Sequence, residues 1–388
     1  MMSAPGVILL LPSAREFDRG LRRGIVEYAQ AHGRWIFYEE SPPYVQSLTR
    51  RQRLRHMHRW EARGAIVLQS RAAEVKPLGI PTVVSIETRP LPSSCYQVAC
   101  ANEEIGLLGA RTLAGLGLRH FAYCGLDGLE FSDNRRAGFL RGIREAGYSA
   151  AVYSSSLKSL AQSWYAEERQ LARWLSALSK PVGLMACNDD RARLVAEICH
   201  INKIRVPDDI AILGVDNDEQ VCRSANPPLS SIALATERGG YEAAALLASL
   251  MAGRPPRARV VTVHPTHTVS RQSTDVLAIE DPALVRALRF IRQNNHRNLQ
   301  VADLAAAAGL SRRALQDRFK RCLRCTPMNE IHRCRVDHIA RLLAETNMTV
   351  GEIAAASGFE VDAHLARFFS RQTSMTPLAY RRKSRISQ

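Results

Sequence analysis

Aromatic residues are scarce, 6% of 388 positions, and the apolar run at 7–11 falls well short of the ~20 residues that a membrane-spanning helix needs. That run also follows no basic segment and is too short for the core of a secretory leader, so the expected compartment is the cytoplasm, with no membrane partner. Cysteine is too sparse for a disulfide scaffold: nine residues, an odd number, scattered along the chain, read as reduced thiols. Acidic residues are in deficit, 37 against 53 Lys and Arg, and the resulting charge of +16 favours a polyanionic partner, nucleic acid foremost. A general preference for Arg, which supplies 47 of the 53 cations, accounts for part of this excess but not for its distribution. Residues 281–388 carry 19 cations and 9 acids, whereas residues 1–280 carry 34 and 28, so the basic surface is C-terminal. No GxGxxG, Walker A or GxSxG element stands at a strand-to-helix junction and no HExxH is present, so nucleotide-dependent or hydrolytic catalysis lacks its residues, and neither an enzyme nor a cofactor is expected.

What is present divides into two regions. The first 270 residues alternate short apolar runs with amphipathic stretches, the pattern of α/β units on parallel sheets, here read as two lobes. Strands are expected at 7–11, 64–68, 82–86, 121–124, 182–186 and 210–215, and helices at 19–32, 102–114, 133–146, 163–178, 190–201 and 237–251. The periodicity stops between 270 and 281 and a purely helical pattern begins after it. The expected organisation is a sensor region over 1–275, a linker at 276–283 and an all-α domain over 284–388.

The helical region holds an internal repeat. A short helix, Gly309 and a second helix capped by Ser311 recur as a helix after Thr349, a Ser357-Gly358 turn and a helix near 362–373, with a long helix near 328–344 between them. Thr349 and Glu352 form a T-x-x-E capping box. Two helix-turn-helix motifs, at about 301–321 and 349–373, imply double-stranded DNA as partner, because the second helix of such a motif enters the major groove. The candidate readers are Ser311, Arg312, Arg313, Gln316 and Arg318 in the first, with Leu315 and Phe319 inward, and Glu360, Asp362, His364 and Arg367 in the second. Arg suits guanine O6/N7 and Gln suits adenine N6/N7. A zinc site at Cys322-x2-Cys325-x6-His332-x-Cys334 is not expected, since residues two apart on a helix point about 200° apart.

These residues carry a family resemblance. Residues 284–383 resemble the AraC-type DNA-binding domain in Leu315-x3-Phe319, Arg335, Ala340, Leu342-Leu343, Ile353-Ala354, Gly358-Phe359, Arg367-x-Phe369 and Thr376-Pro377-x2-Tyr380-Arg381; Leu365 and Ser370 depart from it. The front half lacks the small β-barrel of the AraC protein and resembles the sugar-binding, periplasmic-binding-protein-like domain of LacI/GalR regulators, in Arg135-x-Ala137-Gly138-Phe139, Asn188-Asp189, Val206-Pro207-x-Asp209 and Gly214-Val215-Asp216-Asn217. That order of domains, with Arg191-Ala192-Arg193 and Arg271-x-Ser273-Thr274-Asp275, is similar to the XylR family of xylose-responsive activators across nearly the whole chain. The resemblance implies a transcription activator of sugar-utilisation genes with a monosaccharide effector such as D-xylose, RNA polymerase as a partner and a homodimeric state. In the resembling regulators the residues matching Arg135 and Asp216 contact the effector, with Asn188 a third partner. Carboxylate and guanidinium groups at strand C-termini suit paired sugar hydroxyls. From the first lobe, the loop after Leu11 offers Arg15, Phe17, Asp18 or Arg19, an aromatic there stacking on a sugar's apolar face. Other readings are a ligand-independent or non-sugar-responsive AraC-type regulator whose front half only dimerises, and a DNA-repair methyl acceptor, for which the N-terminal half lacks the reactive cysteine cluster.

Overall fold

The structure is a computed structural model that describes residues 4–39, 49–89, 91–92, 94–156, 163–254, 256, 258–276 and 281–384. The apolar runs form parallel strands buried on both faces, which is why they read as continuous rather than alternating. In chain order the first lobe contributes β1 (Gly6–Leu10), α1 (Glu16–Ala31), β2 (Ile36–Tyr38), α2 (Arg50–Arg59), β3 (Gly64–Leu68), α3 (Ala72–Val75), β4 (Thr82–Ser85) and β5 (Tyr96–Cys100). The chain then crosses into the second lobe with α4 (Asn102–Ala114), β6 (His120–Asp127), α5 (Glu130–Glu145), β7 (Ala150–Ser156), α6 (Trp164–Ala177), β8 (Val182–Ala186), α7 (Asp189–Ile201), β9 (Ile210–Val215), α8 (Glu219–Ser224) and β10 (Ser230–Leu234). It returns to the first lobe for α9 (Thr236–Met251) and β11 (Val260–Val263), and ends in the second with β12 (Pro265–Val269).

Each lobe has a six-stranded sheet, ordered β11-β5-β4-β3-β1-β2 and β12-β10-β9-β8-β6-β7. The first is parallel throughout; in the second, β12 alone runs antiparallel, against β10. Strand order reverses between β1 and β3 and between β6 and β8, the switch points at which such sheets open a crevice at their strand C-termini. Separate cores fill the two faces of the first sheet, one under α1 and α9 (Leu21, Ile25, Ala244, Leu247) and one under α2 and α3 (Met57, Val75).

Two starts differ from expectation in a way that matters for the site. α1 begins at Glu16, not near Arg19, and α5 begins at Glu130, not near Asp133. Phe17, Asp18 and Arg19 therefore sit on the first turn of a helix with Arg15 at its N-cap, rather than on a loop. Ser273 and Thr274, near the expected boundary, are buried in the second lobe, where Ser273 Oγ donates to the Ile212 carbonyl at 2.6 Å.

The C-terminal region is helical: α10 (Pro282–Gln293), α11 (Val301–Ala308), α12 (Arg312–Leu323), α13 (Pro327–Glu345), α14 (Val350–Ala356), α15 (Asp362–Thr373) and α16 (Pro377–Ser384). Pro282 and Ala283, expected in the linker, belong to α10, because the Asp281 carboxylate accepts the orphan N–H groups of Ala283 and Leu284 and Pro282 pre-sets the first turn. Two small cores result, one around Leu288, Leu304, Leu315 and Phe319, the other around Ile339, Ile353, Leu365 and Phe369, and the 19-residue α13 enters both. Gly309 and Gly358 take left-handed φ of 67° and 70° at the two turns. No described helix is long and apolar enough to cross a membrane.

Candidate functional site

The crevice between the lobes is walled by side chains from opposite ends of the chain. Arg15 at the N-cap of α1, Phe17 and Asp18 of α1, Leu68 at the end of β3 and Ile86 and Glu87 after β4 form the first-lobe side; Glu130, Phe131 and Arg135 of α5, Asn188 and Asp216 form the other, with Cys100 and Asn102 at the crossing. Six of the seven expected effector contacts meet there. Asn188 is there because it N-caps α7, its Oδ1 accepting from Arg191 N at 2.9 Å.

Arg135 is the most firmly held. It is 3% exposed, donates from Nε to Asn102 Oδ1 at 3.1 Å and from Nη1 to the Cys187 carbonyl at 2.6 Å, and leaves Nη2 3.5 Å from Asp216 Oδ1. Its guanidinium also lies 5.2 Å from the centroid of the Phe131 ring. Asp216 sits where the chain turns after β9, with φ of 103° followed by 52° at Asn217, two consecutive left-handed residues without glycine. Backbone of this kind is costly and concentrates at functional sites. Asp189 stabilises the turn from beneath, accepting from Ser231 Oγ at 2.6 Å and Asp218 N at 2.7 Å.

The crevice is short of donors. Both carboxylate oxygens of Asp18 and Oδ1 of Asp216 are buried without a hydrogen bond, although Arg15 Nε lies 3.3 Å from Asp18. Burial pushes the Asp18 carboxyl up to about 6, opposed by Arg15 and reinforced by Asp216 and Glu87; burial likewise raises Asp216 to about 6 against the pull of Arg135 and Arg15. Buried acceptors of this strength ordinarily have partners, so the arrangement calls for a ligand bearing several hydroxyl or amine hydrogens.

Arg19, the seventh expected contact, is outside the crevice wall. Its Nη2 is 2.6 Å from Asp218 Oδ2 in the second lobe, Nη1 donates to the Ala14 carbonyl at 2.8 Å and Nε to Glu16 at 3.1 Å, so its donors are already used. It joins the lobes instead, as does Glu130 N, which donates to the Thr88 carbonyl at 2.9 Å. With the lobes joined, the crevice retains about 40 Å³, room for a few waters at ~10–15 Å³ each.

On the helical domain, Ser311 accepts from Ala314 N at 3.2 Å and starts α12, from which Arg312, Arg313 and Gln316 project into solvent. Arg318 does not join them. It lies 2.6 Å from both oxygens of Asp281, so the fifth side chain of the expected reading set faces the start of α10 instead. Glu360, Asp362, His364 and Arg367 are exposed around the start of α15, with Asp362 Oδ1 accepting from Ala363 N. Arg335 fixes this second motif from α13. Buried, it donates to the carbonyls of Ser357 at 2.7 Å and Gly358 at 3.0 Å and stacks 3.7 Å from the Phe359 ring centroid, and burial lowers its pKa to about 10. Among the described residues no three His, Cys, Asp or Glu side chains gather as a metal-holding group.

Residues 110–274 match the family of periplasmic binding protein-like domains and residues 304–383 a helix-turn-helix domain family. Fold and sites together define a DNA-binding transcription regulator with a sensor of the sugar-binding type. The chain is 30% identical over 268 residues to the Xylose operon regulatory protein of Haemophilus influenzae, covering 68% of this chain and 69% of that one, and 27% identical over 386 residues to that of Escherichia coli K12, covering 97% and 96%. It belongs to the family of xylose operon regulatory proteins. Among solved structures it is similar to the xylose-binding transcription activator xylR, with a TM-score of 0.61, 25% identity and 98% of each chain covered. The sensor shares its fold with the regulator CelR in complex with cellobiose, at a TM-score of 0.56, 18% identity and coverage of 70% and 84%.

Proposed function

We propose that the chain is a cytoplasmic, non-enzymatic activator that closes its two lobes on D-xylose and so changes how its helix-turn-helix motifs sit on operator DNA. The observation that carries this reading is the set of orphaned oxygens on Asp18 and Asp216 beside Arg135. Sugar hydroxyls supply the missing donors, Arg135 and Asn188 meet the remaining hydroxyl oxygens, and Phe17 offers an apolar face. Arg15 balances the charge of Asp18. A front half that served only for dimerisation would have no use for buried acceptors left open. α12 and α15 enter successive major grooves, about 10 bp apart, with Arg312, Arg313 and Gln316 toward bases and phosphates of the first and Glu360, Asp362, His364 and Arg367 at the second. A homodimer on tandem sites that engages RNA polymerase completes the reading.

Calorimetric titration with D-xylose and a panel of other monosaccharides tests it. Saturable D-xylose binding is expected, weakened at least about 30-fold in Asp216→Ala, the equivalent of the ~2 kcal/mol or more lost when a buried charged partner is removed. Binding of a different sugar replaces the effector and keeps the crevice. Binding indifferent to Asp216 moves the site, and no binding across the panel refutes the reading.

A further inference from the structure

The DNA-binding domain is held to the sensor by more than its linker. His267 on β12, 5% exposed, brings Nε2 to 2.9 Å from Oε1 of Glu345, the last residue of α13. Beside it Tyr380 of α16 donates its hydroxyl to the Thr266 carbonyl, and Lys383 Nζ is 3.7 Å from Glu104 of α4. Just before the opposite end of α13, Arg324 lies 4.7 Å from the Tyr148 ring centroid and donates to the Gly147 carbonyl at 3.3 Å. All four of these anchors fall on the second lobe. Among the described residues, the first lobe faces the same domain across an open cavity of about 950 Å³, with Glu16, Arg23 and Glu27 of α1 on one wall and Arg382 of α16 on another.

β12 is an edge strand, and its free edge would otherwise be an open row of backbone donors and acceptors. Its paired edge leads directly to the crevice. β12 pairs with β10; from the far side of β10, Ile232 O accepts from Asp216 N at 2.9 Å and Ser231 Oγ from Asn217 N at 3.0 Å. Arg271, two residues past β12, donates to Asn217 Oδ1 at 2.8 Å. The left-handed Asp216-Asn217 turn thus borders the interdomain cavity, and Asp216 also borders the crevice.

We propose that β12 is the anchor on which the second lobe carries the DNA-binding domain, with His267 a positioning residue for the recognition helices, and that lobe closure reaches that domain as a change in the gap between α1 and α16. The second half of this inference rests on the sugar-responsive reading above; the anchor itself does not. A signal of this kind needs a rigid attachment on one side of a moving gap, and the contacts above supply the attachment to one lobe only.

Hydrogen exchange on the full-length protein, with and without D-xylose, decides both halves. In His267→Ala, exchange across 340–345 and α16 is expected to rise at least tenfold while α11 and α12 stay protected. D-xylose affinity is expected to remain within about twofold, and any xylose-dependent change at α16 to disappear. His267→Gln, which keeps a donor within reach of Glu345, is expected to restore both properties, and Glu345→Ala at an exposed position is expected to reproduce the defect if the histidine variant folds poorly. Wild-type protection and xylose response in His267→Ala and Glu345→Ala would overturn the anchor. A wild-type protein that ignores D-xylose would overturn the sugar reading, while the sugar-free comparison of variants still decides the anchor.

Discussion

Asp18 and Asp216 are costly residues in the sugar-free protein. Each carboxyl is raised from 3.8 to about 6 by burial, so the folded chain holds these protons more tightly than the unfolded chain does. Between about pH 4 and pH 6 the native state therefore binds the extra protons, and stability falls as pH rises through that window. Above it the full penalty is present, on the order of 3 kcal/mol for a two-unit shift. Asp18→Asn removes one such charge, so the sugar-free sensor is expected to melt higher than wild type at pH 7, with the difference shrinking toward pH 4. Thermal melts of both proteins at pH 4.5, 5.5 and 7 check the sign; equal midpoints at pH 7 would show that Asp18 carries no penalty. The same substitution weakens D-xylose binding if the orphaned oxygens are acceptors for its hydroxyls, so stability and affinity are expected to move in opposite directions.

At the scale of elements, the two helix-turn-helix glycines share a backbone conformation but not a neighbourhood. A Cβ on Gly309 meets nothing closer than Arg286 Nη2 at 4.0 Å, whereas one on Gly358 meets Asn298 N at 2.9 Å and His296 O at 3.0 Å, backbone atoms that cannot swing away. Gly309→Ala is expected to cost only the left-handed penalty, about 1 kcal/mol. Gly358→Ala adds a clash and displaces the carbonyl that Arg335 holds, so it is expected to lose protection across α14 and α15 in hydrogen exchange, several-fold beyond any loss that Gly309→Ala causes at α11 and α12. These motifs were legible in the sequence because their signals are local: Ser311 and Thr349 cap helices three residues ahead, and Leu315 with Phe319 repeats at helical spacing. The strands at β2, β5, β7, β10, β11 and β12 were not, since Tyr96-Gln97-Val98-Ala99-Cys100 or Ser230-Ser231-Ile232 lacks the apolar run of a doubly covered strand. The crevice divides in the same way. Asn188 and Asp216 follow recognisable strands and Arg15, Phe17 and Asp18 fall in the stretch after one, while Leu68, Ile86, Glu87 and Asn102 carry no motif and meet the others only through the tertiary fold. The place of Arg19 outside the crevice wall has no local signal, because its partner, Asp218, is 199 residues away.

The whole sensor balances two opposed sets of forces. The Arg19–Asp218 pair and the Glu130–Thr88 backbone hydrogen bond draw the lobes together, whereas the Asp18 and Asp216 carboxylates repel each other across the crevice. Apparent affinity for an effector scales with the fraction of molecules already able to close, so weakening the clasp lowers affinity without touching the crevice. Arg19 is partly exposed, 24% at its side chain, which places the pair near the ~1 kcal/mol of an accessible ion pair rather than the value of a buried one. Arg19→Met keeps an unbranched apolar stem and removes the guanidinium, and with it the bonds to Asp218, Glu16 and the Ala14 carbonyl. It is expected to enlarge the sugar-free protein in small-angle scattering and weaken D-xylose binding roughly fivefold, the factor that ~1 kcal/mol corresponds to. At saturating D-xylose the scattering curves of variant and wild type are expected to coincide, because the bound sugar then bridges the lobes itself. Unchanged affinity together with an unchanged sugar-free scattering curve would mean that the clasp contributes nothing to closure, and that the backbone hydrogen bond and the lobes' packing hold the closed form alone.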